Sequence, residues 1–234
     1  MMTAGEHHSH YEIPFYPFGF NLSITPPILI MWGACFVVFL FLFLANRFKR
    51  VRQIEELLYD FVVDTFGSNL KNKLWFSFLI TLFLFVFFNN LCGLLPGGES
   101  PTSNINVTGS LALFIFILSQ LIGFTVHRLH HIQNLIPAGI PKPILIFVIP
   151  LEIVSQFARP FSLAVRLFAN MFAGHKVLTI FVSLTIASPL VVKWLPLSGV
   201  VLISLFEIFI AFIQAFIFTY LASYYISDAV HGAH

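Results

Sequence analysis

The sequence predicts an all-α membrane protein with about five membrane helices. Of its 234 residues, 58% are hydrophobic and only 9% are charged, whereas soluble domains carry about 25% charged residues. The mean hydropathy is +0.91. Apolar runs long enough for a helix to cross a bilayer recur along the chain. The net charge of +2 gives no support to nucleic-acid binding.

The first predicted span, Ile28 to Ala45, is an uncharged run. Basic residues follow it directly: Arg47, Lys49, Arg50 and Arg52. By the positive-inside rule this end is cytoplasmic, so we expect residues 1–27 to lie outside. Residues 51–70 then place apolar side chains at helical spacing with four carboxylates between them. This pattern predicts an amphipathic helix on the cytoplasmic surface.

Two further spans follow, Leu74 to Leu91 running outward and Ser110 to Val126 returning inward. The loop between them contains Gly and Pro but no Lys or Arg, as expected on the outside. The second of these spans ends at a basic cluster, which predicts another cytoplasmic loop.

Residues 144–226 contain two apolar segments, one ending near Ile186 and the other running from Leu197 to Ile226. About 20 residues suffice for an upright helix, so both segments are too long to stand upright. Prolines interrupt the chain between them. We therefore predict two long, tilted helices that form an antiparallel hairpin with a cytoplasmic C-terminus. Residues 1–234 are expected to form a single membrane domain.

The first of these segments contains a permanent charge, Arg166, flanked by Leu163, Ala164, Val165 and Leu167. A charge near the bilayer centre costs between about 3 and over 10 kcal/mol. Arginine cannot escape this cost by deprotonating. Arg166 must therefore have a partner or an aqueous cavity.

Other polar residues share the hairpin with Arg166. Antiparallel folding about residue 190 predicts three levels: Glu152 opposite Asp228, Arg166 opposite Gln214, and His175 opposite Glu207. Histidine beside a carboxylate can relay protons near neutral pH, whereas a fixed cation blocks them. Exchangeable groups interrupted by one permanent cation indicate two offset half-channels rather than a through-pore. The alternative is an intramembrane ion pair that only holds the helices together.

Three smaller polar residues allow two interpretations each. Asn170 lies four residues beyond Arg166, on nearly the same face, and asparagine can also simply bond between helices. Ser155 and Ser162 either line a channel or bond their own helix backbone.

Four stretches of the chain resemble subunit a of the F-type ATP synthase, the stator beside its membrane rotor. They read PLEIVSQFARPFSLAVRLFANMFAGH at 150–175, FEIFIAFIQAFIFTYLASYYI at 206–226, NNLCGLLP at 89–96 and SPTSNINVT at 100–108. The resemblance covers about residues 15–230. It implies that Arg166 faces the carboxylates of the rotating c-ring, with Gln214 beside it. It also implies that His175 and Glu207 lie in the outer half-channel.

The same resemblance implies that Asn170 lies one turn beyond the essential arginine and that Glu152, Ser155 and Ser162 lie on the cytoplasmic exit route. In some members of the family the acidic residue and the histidine exchange positions. The resemblance implies no bond chemistry for this chain, and neither a cofactor nor a metal is expected.

The expected partners are the c-ring, subunit b of the peripheral stalk, the rest of the ATP synthase and membrane lipid. We expect the bacterial cytoplasmic membrane, and the mitochondrial inner membrane is the alternative. The sequence leaves proton and sodium coupling both open.

Two other classes of function fit the sequence less well. An unrelated secondary transporter or channel would be expected to show internal repeats and broken helices around a midplane site, and no such repeat is found in the sequence. His127, His130 and His131 resemble one histidine box of the membrane di-iron desaturases. Those enzymes need several boxes to supply enough ligands, and the sequence contains one.

Overall fold

The computed structural model describes residues 26–66, 73–94, 100–127 and 142–231. Within these ranges the chain is helical, which confirms the predicted class. The elements are α1 Pro26–Arg47, α2 Lys49–Phe66, α3 Lys73–Cys92, a 3-10 turn at Pro101–Ser103, α4 Ile105–His127, α5 Lys142–Ala187 and α6 Trp194–His231. In the described part, α3 to α6 are long and apolar enough to cross a membrane, and α1 contributes the shorter apolar stretch Ile28–Leu44.

The first three predicted spans lie inside α1, α3 and α4. The predicted amphipathic helix is α2, which packs against α1 and α3. Its side chains Leu58, Tyr59 and Val63 pack against the core, and the helix also carries an exposed Arg52–Glu56 ion pair at 3.7 Å. Residues 67–70 of that prediction, and the loop that carries most of the histidine box, lie outside the described residues.

The core of the molecule lies between α3 and the second half of α6. Its largest fully buried apolar side chains include Leu79 and Val86 of α3, Ile115 of α4 and Phe218 of α6. Buried positions of α6 recur every three or four residues: Ala211, Gln214, Ala215, Phe218, Thr219, Ala222, Ser223, Ile226 and Ser227. Most of these side chains are small, which lets neighbouring helices approach closely where lipid offers no hydrophobic driving force.

A buried polar cluster joins the C-terminal end of α3 to the 3-10 turn. Thr102 donates to Asn90 Oδ1 at 2.8 Å, and Ser100 donates to the Asn89 carbonyl at 3.1 Å. Asn90 Nδ2 in turn lies 3.5 Å from the carbonyl of Ala211 on α6. Because buried polar groups are costly when unpaired, these bonds fix the chain between α3 and α4.

Helices α5 and α6 form the predicted antiparallel hairpin. With 46 and 38 residues, they are about 69 and 57 Å long at 1.5 Å per residue. Both exceed the hydrocarbon thickness of about 30 Å, so they must run obliquely or extend beyond it. The turn at residues 188–193 is closed by the bonds of Val192 and Lys193 to the Pro189 carbonyl. Pro150 and Pro160 lie inside α5 without ending it.

The predicted register of the hairpin is wrong at two levels. Gln214 bonds to Asn170, four residues beyond Arg166, and Asp228 pairs with Arg159, seven residues beyond Glu152. Side chains of a helix lean toward its N-terminus. On antiparallel helices they therefore lean in opposite directions along the axis, and contacts between long side chains are displaced from level backbone positions.

Candidate functional site

Arg166 lies on the exposed face of α5. The core-facing stripe of this helix is apolar and contains Leu163, Ala164, Leu167 and Met171, all buried. Arg166 falls between these positions and points away from them. Its neighbours on the exposed face are mostly small: Ala158, Ser162, Ala169 and Ala173. Such a face lets a partner approach the guanidinium closely.

No carboxylate of the described residues forms an ion pair with Arg166. The phenol of Tyr225, on α6, lies within electrostatic range of Arg166. An intramembrane cation of this kind needs compensation. The partner group or water that compensates Arg166 therefore lies outside the described part of the chain.

Next to Arg166, one amide pair links the two helices. Asn170 Nδ2 donates to Gln214 Oε1 at 2.8 Å. Gln214 is only 1% exposed, and its Nε2 has no hydrogen-bond partner in the described structure. Asn170, in contrast, is exposed on the Arg166 face. The amide pair thus connects the buried stripe of α6 to the face that carries the arginine.

The part of the hairpin nearer the turn brings His175 and Glu207 together. His175 lies within electrostatic range of the Glu207 carboxyl, and both residues are half-buried. Gly174 makes room for this arrangement, because a Cβ there would lie only 3.1 Å from Glu207 Cδ. An imidazole near a carboxyl can exchange a proton with it, directly or through water, near neutral pH.

In the part of the hairpin far from the turn, Arg159 Nη1 lies 3.6 Å from Asp228 Oδ2. The guanidinium carbon also lies 5.9 Å from the centre of the Tyr225 ring. Glu152 is half-buried on α5, and no ion pair joins it to a described residue.

The two serines behave differently from most other hydroxyls of the hairpin. Hydroxyls at five positions bond a carbonyl three or four residues back in the chain: Thr179, Thr185, Ser188, Ser198 and Ser204. No such bond to a described residue is formed by Ser155 or Ser162. Their hydroxyls thus retain hydrogen-bonding capacity toward groups outside the described chain.

The sequence therefore predicted the His175–Glu207 pair but not the bonding partners of Gln214 and Asp228. It also gave no role to Gly174 and Tyr225. Tyr225 precedes Asp228 by three residues, a spacing that puts both on one face of a helix. In the described ranges no group of three or more His, Cys, Asp or Glu side chains is arranged to hold a metal ion.

Comparison with known proteins agrees with this architecture. The family model described as "ATP synthase A chain" matches residues 28–227. A protein of Magnetococcus marinus named "ATP synthase subunit a" is 39% identical over 230 residues, covering 94% of this chain and 89% of its own length. Proteins of the same name from Pelagibacter ubique and Rhodospirillum rubrum are 40% and 39% identical, covering 80% and 78% of this chain and 77% and 76% of their own lengths.

Proposed function

Since this chain belongs to the ATP synthase A chain family, we propose that it is the proton-translocating stator subunit of an F-type ATP synthase. The observation that carries the detailed proposal is the exposed Arg166, which no described carboxylate neutralises. A rotating ring that presents one carboxylate at a time would supply the missing charge. Such a partner also accounts for the small residues around Arg166, since they permit close approach without bulky side chains obstructing rotation.

Arg166 acts in this proposal as a barrier between two half-channels. Its charge is permanent, so it neither accepts nor passes a proton. It attracts each ionised ring carboxylate and repels protons that would otherwise pass directly between the half-channels. The amide pair of Asn170 and Gln214 holds the two helices together beside it.

The outer half-channel uses Glu207 and His175. Protons arriving from outside pass between these groups and neutralise a ring carboxylate. A neutral carboxyl can enter lipid, whereas an ionised one does so only at a high energetic cost. The ring therefore turns in the direction that carries the protonated site away from Arg166.

The inner half-channel passes Ser162, Ser155 and Glu152 toward the cytoplasm. The hydroxyls of the two serines are not bonded to described residues, so they are free to bond water in a polar path. Each proton that crosses 100 mV contributes about 2.3 kcal/mol. This chain makes and breaks no covalent bond of ATP; it directs that energy into rotation.

The proposal includes the membrane and the partners. The chain lies in the bacterial inner membrane, with its N-terminus outside and its C-terminus in the cytoplasm. Besides the c-ring, it contacts subunit b of the peripheral stalk, which keeps it from turning with the ring. All three relatives named above are from bacteria, which supports the bacterial assignment.

The decisive experiment replaces Arg166 with alanine in the assembled complex. Proton-driven ATP synthesis in membrane vesicles should be abolished, while the chain still co-purifies with its neighbours. Arg52→Ala is the matched control, because Arg52 lies exposed on α2 and pairs only with Glu56 among the described residues. Retention of coupled synthesis by Arg166→Ala would refute the proposal.

A further inference from the structure

The inner end of the hairpin contains a charge cluster that the proposed proton path does not use. Arg159 of α5 and Asp228 of α6 approach to 3.6 Å, and their side chains are 37% and 34% exposed. The Arg159 guanidinium also lies over the Tyr225 ring at 5.9 Å. These three residues are called the inner cluster below. Because about a third of each side chain is exposed, salt can partly screen a charge left unpaired in this cluster.

The position of the inner cluster is as informative as its composition. Arg159 lies seven residues after Glu152 and seven before Arg166. Seven residues make nearly two full turns, so the three side chains leave α5 on nearly one face, about 10 Å apart along the axis. The charges of both Arg159 and Arg166 act on the phenol of Tyr225. The inner cluster therefore lies between the barrier arginine and the inner-route carboxylate.

A second permanent cation at this position would oppose proton transfer along the inner half-channel. At an effective dielectric constant of about 20, one unit charge about 10 Å away changes proton occupancy by roughly tenfold. A carboxylate beside the cation removes most of this effect, since the field of a close pair of opposite charges decreases faster with distance than that of a single charge.

We propose that Asp228 is a positioning residue for proton transfer, which neutralises Arg159 beside the inner half-channel while the Tyr225 ring holds the guanidinium against α6. The inference rests on the proposed function, because it presupposes that protons pass along this face. It assigns to Asp228 a task different from relaying protons: keeping the net charge of the inner cluster at zero.

A simple structural link between the helices makes a different prediction. If the ion pair only ties α5 to α6, loss of either partner breaks the link, and loss of both is no better. If charge balance matters, removing Asp228 alone is harmful because it leaves a bare cation, and removing Arg159 as well relieves the harm. The double variant therefore separates the two roles.

The test compares Asp228→Asn, Arg159→Gln and the double variant Arg159→Gln/Asp228→Asn. Each is examined as the complete ATP synthase in inverted membrane vesicles. The readout is the rate of ATP-driven proton pumping, normalised to the amount of assembled complex. We expect Asp228→Asn to pump about tenfold more slowly and the double variant to recover to within about threefold of the unmodified complex. Glu56→Gln, which leaves Arg52 unpaired on the exposed surface of α2, is the control for loss of an ion pair.

The salt dependence of proton pumping provides a second readout. If the ion pair were only a structural link, the defect of Asp228→Asn would not decrease as salt is added. Raising the ionic strength from about 0.01 M to 1 M shortens the screening length from about 30 Å to 3 Å. The defect of Asp228→Asn should therefore shrink at high salt, relative to the unmodified complex. A double variant as slow as Asp228→Asn, or a defect unchanged by salt, overturns the inference.

Arg166→Ala, measured in the same vesicles, separates this inference from the function on which it rests. If Arg166→Ala still pumps, the proposed function fails and the inference fails with it. If Arg166→Ala is inactive and the double variant does not recover, only the role given to Asp228 is overturned.

Discussion

Gly174→Ala should uncouple the His175–Glu207 pair without unfolding the helix. A Cβ on Gly174 would lie 3.1 Å from Cδ and 3.2 Å from Cγ of Glu207, and closer still to its Oε1. Non-bonded carbon atoms prefer about 3.5–4.0 Å. The carboxyl must therefore move, and the overlap with its oxygen requires a displacement on the order of 1 Å.

The cost of this displacement in stability should be small. The obstructing atoms belong to the end of a flexible side chain, which can leave its position at about 0.5–1.5 kcal/mol. Alanine in place of glycine favours a helix interior by up to about 1 kcal/mol. The two effects nearly cancel, so the chain should assemble normally.

The effect on proton transfer should be large. A displacement of about 1 Å can reduce the rate of a geometry-dependent step by about a hundredfold, which corresponds to about 2.7 kcal/mol. The assay is proton-driven ATP synthesis in vesicles, per assembled complex, with Glu207→Gln as the reference for loss of the carboxylate. Gly109→Ala is the control, because its Cβ would have no neighbour within 4 Å. If Gly174→Ala synthesises ATP at the unmodified rate while Glu207→Gln does not, the contact between Gly174 and Glu207 does not set the geometry of transfer.

Two further substitutions test the packing of the hairpin. Asn170→Ala removes the donor to Gln214 Oε1 and leaves a buried amide without a described partner, which should cost about 1–3 kcal/mol. The measurement is the temperature at which the chain is released from the detergent-solubilised complex, with the exposed Asn106→Ala as control. Equal release temperatures for the two variants would contradict the expectation. Gly199→Ala places a Cβ 2.5 Å from two atoms of the Phe181 ring, a group stiffer than a carboxyl. The substitution should lower stability by about 1–3 kcal/mol in the same release assay. The rate of ATP synthesis per assembled complex should be retained.

Much of the fold follows from the sequence because lipid imposes strict rules. The spans in α1, α3 and α4 were predicted from uninterrupted apolar length, and the side of the membrane expected for each end came from basic residues. The hairpin turn was predicted from Pro189 and Pro196. Close to that turn, Gly199 of α6 lies against Phe181 of α5, as the predicted register expects. Near the turn, where one partner is glycine, counting residues from the break finds the right neighbours.

Further inward, counting residues fails because the partners are long. Arg159 reaches Asp228, and Asn170 rather than Arg166 reaches Gln214. Each pair is displaced in the direction expected when side chains lean toward the N-termini of antiparallel helices. The displacement is larger for the arginine pair than for the amide pair. A register estimate that included side-chain length would have found both.

The polar cluster of Asn90 and Thr102 was missed for a different reason. Asn90 lies near the end of α3, but Thr102 comes from a loop that reads as polar and irregular, and such loops are expected to face water. Burial there depends on how the 3-10 turn folds back between helices that are distant in sequence. No local pattern in the sequence contains that information.

The buried stripe of α6 also has a mechanical consequence. From Ala211 onward the stripe lies in the core, whereas Pro196 alone is buried among residues 194–210 of the same helix. The C-terminal half of α6 is thus held in the core, whereas its N-terminal half is not. A sideways force on α5 near Arg166 is transmitted to the core by the buried side chains of Leu163 and Leu167. The half of α6 that bears Glu207 instead packs against α5, with close approaches at Gly174 to Glu207 and at Gly199 to Phe181, so its lateral support comes from α5 rather than from the core.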